Sequence, residues 1–536
     1  MRPTLHRSTT SLSAATILMM VAMAYANQCF SQELDSTARS RKAKELFISG
    51  TTLQIQGNRH AEAIIDFQQS LRYDSSSVTL AAMARSYREI KKLDLAFETV
   101  NLALARDKSS RDAWELLAEI EIMRGRYDEG LSAYEKILDL APTKRQMFML
   151  ARLYEPRNAQ RAIEILESIV AKWPDDVVMY MRLNDLYERT KDTKSRLRVL
   201  EQAARLAPKD PQIAAAQCEL YIEQAQFDEL TSLLRRWDGK AIDPDMSSEV
   251  WLVTLSSALE DSLIIGLHRD DVRHIAELAT SSMSSSWPVM VVAGTVAISC
   301  ADTALAATCF STILQNQQVI AEGFLEVGRV YAMNEMQQRS LEFLSMGRVR
   351  FPTDIRFPVV MSSLHMDMGN DRQAIIELET ASLIDSSAID IWVQLGMLYD
   401  RTKRLQESDQ AYERALLLDQ SNALANNNYA YSLSLRHLDL DRAKAMSERA
   451  VSADTSNAAF LDTYAWILYQ REDYAKAKEF ILKAIQFGGN ATHYEHYGMI
   501  LRALGERSEA INAFERSLEI DPTRTWVRDE LEMLTK

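Results

Sequence analysis

The sequence predicts an all-α protein, a solenoid of antiparallel helix hairpins stacked one on the next. Three observations carry that reading. Glycine and proline are scarce, at 16 and 11 of 536 residues, against ordinary usage of about 7% and 5%, which disfavours turn-rich β architecture and glycine-rich phosphate loops. Small and large apolar residues recur at a fixed interval along much of the chain. Within each interval the apolar positions keep helical spacing.

The interval shows first in small residues. Gly294, Gly328, Ser362 and Gly396 stand 34 residues apart each time. Ala306, Ser340, Ala374 and Ser408 keep the same step, as do the large apolar Phe310, Leu344, Leu378 and Tyr412. Three ladders in one phase define a repeated unit rather than a chance match. Pro142, Pro174 and Pro208 follow apolar helical runs at steps of 32 and 34 residues, with Pro352 and Pro522 at equivalent unit ends. Proline cannot continue a helix, so each marks where a hairpin stops. In the last copy Tyr494, Tyr497, Gly498 and Leu501 follow i, i+3, i+4, i+7. Gly505 then breaks the run, and Ala510, Ile511, Phe514 and Leu518 resume it before Asp521-Pro522. Each unit is therefore expected to be two antiparallel helices. Gly498 against Ala510 should let them approach closely, with Phe514 filling the gap to the neighbouring unit.

The stretches "WVQLGMLYDRTKRLQESDQAYERALLLDQ" (Trp392 to Gln420) and "WELLAEIEIMRGRYDEGLSAYEKILDLAP" (Trp114 to Pro142), with the closing copy, resemble the tetratricopeptide repeat. About thirteen or fourteen such units fit between Ala43 and Thr523. The resemblance implies a right-handed superhelix whose first helices line a concave side, and peptides or partner helices bound there. A solenoid has no central pocket, and its extended surface is its working part.

The chain is expected to divide as follows. Residues 1–31 read as a signal peptide: Arg2 and Arg7 precede an apolar run from Leu12 to Ala26, with small-residue cleavage sites after Ala26 or Ser31. The run is short for a bilayer span, which takes roughly 20 apolar residues. A retained anchor stays an alternative, while Asn27 and Gln28 before Cys29 depart from a lipoprotein signal. Residues 43–237 form an N-terminal array and 287–524 a C-terminal array. Between them, 238–286 fits poorly and is read as a divergent unit of two longer helices, and 525–536 as a capping helix carrying Trp526, Leu531 and Leu534.

Sixty-one Lys and Arg against 75 Asp and Glu give a net charge of −14, a field that repels phosphate backbones and anionic membrane surfaces. Nucleic acid is not an expected partner. Four cysteines, Cys29, Cys218, Cys300 and Cys309, are too few for a disulfide framework. Pairing of Cys300 with Cys309 is weighed against two small buried side chains.

Candidate chemistry is thin. "HRD" at His268 to Asp270 lacks the Asn a kinase catalytic loop needs, since Ile275 stands there. His268, Asp270, Asp271 and His274 offer metal-ligand types, and a metal-dependent hydrolase built on them is the alternative function. His493, Glu495 and His496 do not give His-Glu-x-x-His. No nucleophile elbow, phosphate loop or dinucleotide fingerprint occurs. With repeats filling the chain, neither enzyme activity nor a cofactor is expected.

The binding face is placed in the C-terminal array. In the helix near Phe460, Leu461, Tyr464, Ala465 and Leu468 make the buried stripe, which leaves Asp462, Trp466 and Tyr469 on an adjacent face. Asn427, Asn428 and Tyr431 precede them and Glu495 and His496 follow. Amides beside aromatic anchors suit peptide recognition. Packing of Trp466 and Tyr431 between units is the competing account. Some tetratricopeptide domains grip a C-terminal carboxylate with cations, but Asp462 and Glu495 stand where those would be wanted. The expected function is a non-enzymatic scaffold holding a protein or peptide partner, exported to the periplasm or cell envelope, outer membrane included. It would act in secretion, export or surface assembly, with membrane association through the N-terminus or a partner left open. A self-assembling structural element is a further alternative.

Overall fold

The computed structural model describes residues 36–56, 59–140 and 142–535. Among them are thirty α-helices and no β-strand, so the all-α solenoid holds. The leader reading falls on residues 1–31, outside the described residues.

The chain divides into two compact units, one ending at Leu233 and the other starting at Leu234. In the first, five hairpins run from Ser36–Ile55 with His60–Tyr73 to Val177–Thr190 with Thr193–Leu206, and Pro211–Glu223 packs on the last of them. In the second, seven hairpins run from Trp287–Ser299 with Thr303–Gln315 to Ala491–Ala503 with Arg507–Ile520. The Thr525–Thr535 helix closes the stack. Val527 is buried in its first turn, Leu531 and Leu534 pack against the same cluster, and the exposed Trp526 meets Phe514 edge-on at 6.3 Å.

The ladders of small residues explain the hairpins. A Cβ added at Gly396 would meet the Tyr412 ring at 2.6 Å, and one at Gly498 the Phe514 ring at 2.6 Å. Glycine is needed there because the large residue of the second helix lies flat on the backbone of the first. Ser340 and Ser408 donate to the Gly328 and Gly396 carbonyls at 2.6 and 2.9 Å, which places the two small ladders face to face. The same rings then reach the next unit, Phe310 against Tyr331 at 5.1 Å and Tyr412 on Tyr429 at 5.3 Å. One ring thus serves both joints.

Loops repeat as strictly as helices. In the second unit each hairpin turn carries a left-handed residue, glycine at Gly369 and Gly505 but a side chain at Ala301, Glu335, Lys403 and Glu472, and in the first unit Gly125 does the same. Between hairpins, Asp385, Asp419 and Asp454 accept from the backbone N–H and hydroxyl of the serine two positions on. Those bonds hold the three carboxylates below their ordinary range. Successive units are also tied by tyrosines: Tyr154, Tyr399 and Tyr464 each donate to a glutamate of the preceding second helix at 2.7 Å. Burial and that carboxylate push the Tyr154 phenol up to about 12. In the first unit Arg196, 2% exposed, donates to Asn184 at 3.1 Å and to both Glu223 oxygens at 2.9 Å.

The poorly fitting stretch holds three helices, not the expected two: Pro244–Glu260, Ser262–Leu267 and Arg269–Ser282. Asp261 accepts from the N–H groups of Leu263 and Ile264 and so starts a new helix, and His268, at φ −125°, breaks it.

In the C-terminal hairpins the first helices Ile389–Arg401, Ala423–Leu435, Ala458–Gln470 and Ala491–Ala503 approach one another more closely than their second helices do. Curvature therefore puts the first helices on the inner, concave side.

Candidate binding surface

Four first helices carry the predicted residues or adjoin them: Ile389–Arg401, Ala423–Leu435, Ala458–Gln470 and Ala491–Ala503. Their seam positions are Gly396, Ala430, Ala465 and Gly498. Three residues before each stand Val393, Asn427, Asp462 and Glu495, and one residue after each Met397, Tyr431, Trp466 and Met499. Residues four apart share a helix face, so these eight form two parallel rows along the inner side.

Several predicted residues come together. His496 Nδ1 lies 2.8 Å from Asp462 Oδ1, both side chains buried, and the ring N–H donates to the carboxylate. Trp466 stacks on His496, centroids 4.4 Å apart, and on Tyr469 at 5.3 Å. Trp466 is 8% exposed, which corrects the expectation that it stands free beside the buried stripe. Neighbouring first helices close on one another here, and the indole fills the seam. Its Nε1 is buried without a hydrogen-bond partner, as is Asn427 Oδ1. Asn427 Nδ2 donates to Asn428 Oδ1 at 3.1 Å. Burial raises the Tyr431 phenol, helped by Asp462 and Glu495 and opposed by Arg524.

Arg524 escaped the sequence reading. It lies in the loop before the last helix, pairs with Glu495, and donates to Thr492 Oγ1 at 2.8 Å. Its only sequence signal was a cation next to a unit end. Of the predicted residues, Asn428, Tyr431, Tyr469 and Glu495 remain accessible, each half-buried. Asn428 and Tyr431 also line a cleft of about 470 Å³ with Met397, Asp400, Leu405 and Leu435.

Elsewhere the weighed chemistry does not assemble. His268 lies 3.5 Å from Asp271 and His274 3.5 Å from Glu277, each a pair within one turn. Among the described residues no three His, Cys, Asp or Glu side chains converge on a common metal position, so the hydrolase alternative has no centre at His268 to His274. His493 is buried and caps its helix with Asn490, and burial lowers its ring pKa. Cys218, Cys300 and Cys309 are buried and form no disulfide, and burial pushes the Cys309 thiol up to about 12. No helix among the described residues is long and apolar enough to cross a membrane.

Stacked helical hairpins with a lined inner side define the class: an α-solenoid with an extended binding surface. Residues 81–144, 147–176, 389–422 and 493–524 match family models for the tetratricopeptide repeat. Both units of the chain therefore carry tetratricopeptide repeats. The chain is 24% identical over 147 residues to the type IV pilus assembly protein PilF of Pseudomonas aeruginosa, a match covering 27% of this chain and 58% of that one. Among solved structures, a tetratricopeptide repeat protein from Parabacteroides merdae is 14% identical, covering 47% of this chain and 99% of that chain, with a TM-score of 0.37. Pseudomonas aeruginosa PilF is 16% identical, covering 40% and 97%, with a TM-score of 0.35. The repeats support a protein-interaction scaffold with protein or peptide partners.

Proposed function

We propose that this protein is a non-enzymatic scaffold of the cell envelope that holds a partner polypeptide along the inner face of its C-terminal repeats. The observation behind the reading is the contrast along the two inner rows. The hairpin seams keep one chemistry from unit to unit, whereas the rows change from Val393 and Met397 to Asn427 and Tyr431, then Asp462 and Trp466. Asn427, Asp462 and Trp466 are themselves buried between units, but the amide, aromatic and carboxylate groups of Asn428, Tyr431, Tyr469 and Glu495 beside them are not used up by stacking. Half-buried Asn428, Tyr431, Tyr469 and Glu495 present that chemistry to a partner.

Export is supported by the charged and apolar segment at 1–31, and a role in assembly by the pilus-assembly relative, although the match spans 58% of that relative's length. The reading places the chain in the periplasm or at the outer membrane. The test is in-cell crosslinking followed by affinity purification from envelope fractions, comparing wild type with a Tyr431→Asp/Tyr469→Asp double variant. A defined polypeptide recovered with wild type and lost from a folded double variant is expected. Recovery of no polypeptide, or undiminished recovery with the double variant, contradicts the reading.

A further inference from the structure

The cleft between the Ile389–Arg401 and Ala423–Leu435 helices has a composition that the repeat alone does not require. Its walls are Met397, Leu405 and Leu435, with Met397 40% and Leu435 53% exposed, and Tyr412 below them is buried. Such large exposed apolar side chains around a cleft of about 470 Å³ suit an aliphatic chain, and the volume lies within the range of small-ligand pockets.

The polar end of the cleft is Asp400. It accepts from Ser432 Oγ at 2.9 Å, and among the described residues no Lys or Arg forms an ion pair with it. The nearby cations are already engaged. Arg401 is held by Asp371, and Arg436 takes both oxygens of Asp409. Arg436 also donates to Ser432 Oγ at 3.3 Å, and its charge acts on Asp400 from beyond ion-pair distance without offsetting the burial. Lys403 lines the cleft beyond ion-pair distance of Asp400. Burial raises the Asp400 carboxyl above its ordinary value, the mark of a carboxylate that lacks a direct counter-charge. Perturbed carboxylates in clefts are where binding functions concentrate.

We propose that this cleft receives a lysine or arginine side chain of the bound polypeptide, its aliphatic stem against Met397, Leu405 and Leu435 and its cationic head on Asp400. The inference rests on the reading of the inner face as a polypeptide-binding surface and specifies one residue class of the partner. Apolar walls accommodate the stem of a long cationic side chain, and a desolvated carboxylate selects its head against an uncharged chain of equal length.

The test uses the full-length protein carrying ¹³C-methyl methionine, with the Met397 resonance assigned through Met397→Leu. n-Butylguanidinium and n-butylammonium are titrated against n-butanol and butyrate. Saturable shifts of the Met397 methyl by both cations, at concentrations at least tenfold lower than n-butanol needs, are expected, with Asp400→Asn abolishing that advantage. A response to n-butanol as strong as to the cations would show an apolar pocket only and overturn the proposal. So would a cation response that survives Asp400→Asn, or no response at all. Failure here with partner capture intact sinks the pocket alone; loss of partner capture with cation binding intact sinks the groove reading.

Discussion

Gly396 and Met397 are neighbours on one helix and belong to two surfaces built on different terms. Gly396 faces its own hairpin, where a Cβ would strike the Tyr412 ring at 2.6 Å, and the equivalent positions in the second unit carry only glycine, alanine or serine. Met397 faces the inner side, where the equivalent residues are Tyr431, Trp466 and Met499. The seam is fixed by the need to stack, so the period is visible there. The inner face is less bound by that need: Trp466 is taken up in packing while Met397 and Tyr431 stay at least partly accessible, and there a partner can be specified.

The comparison can be broken most sharply at these two positions. Gly396→Leu should cost roughly 1–3 kcal/mol or more, because overpacking a close seam displaces a helix. Met397→Ala should cost well under that, and Glu407→Gln on the same hairpin should be nearly silent. Hydrogen exchange of the 389–418 segment checks all three, and equal effects would refute the assignment of faces. At the buried pair between units, His496→Ala removes the bond to Asp462 and the stack on Trp466, and should lower stability by about 1–3 kcal/mol. Trp466→Phe keeps a ring in the seam and removes the unpartnered Nε1–H, so its denaturation midpoint should stay near wild type.

Asp400 sharpens the contrast through pH. Its carboxyl is raised by burial, so the folded state binds the proton more tightly than the unfolded chain does. That contribution is complete below the unfolded-state pKa and is lost as pH rises through the folded-state value. Asp400→Asn should therefore melt higher than wild type at neutral pH, with the difference shrinking toward about pH 4 and below. A pH-independent difference would remove the burial argument. The smallest effect belongs to the hairpin turns. Ala301→Gly relieves a side chain held at φ 61° and should stabilise by about 0.5–1 kcal/mol, read from the same melts.

Much of the fold was legible because stacking forces one answer at each period. The glycine and ring ladders, the unit-ending prolines and the closing helix all follow from that constraint. The left-handed turns were hidden because alanine, glutamate and lysine occupy positions where Gly125, Gly369 and Gly505 advertise the conformation. The extra helix of the divergent stretch depended on Asp261 acting as a cap, a local choice that apolar spacing does not record. On the inner side, helical spacing set Asp462, Trp466 and Tyr469 apart from the buried stripe, yet Asp462 and Trp466 are buried too. It could not show that His496, 34 residues from Asp462, would reach across and bury two of them, since that depends on how successive hairpins turn. Arg524 and the Asp400 cleft were invisible for the same reason.

The central claim is that the inner face of the C-terminal repeats holds a polypeptide. Photo-crosslinking in the native cells tests it directly, with a photoreactive residue at Tyr431 or Tyr469 and a control at Glu479 on an outward helix. Adducts to one defined protein from both inner positions and none from Glu479 are the predicted result. Adducts equal at all three positions, or absent from both inner ones, would contradict it.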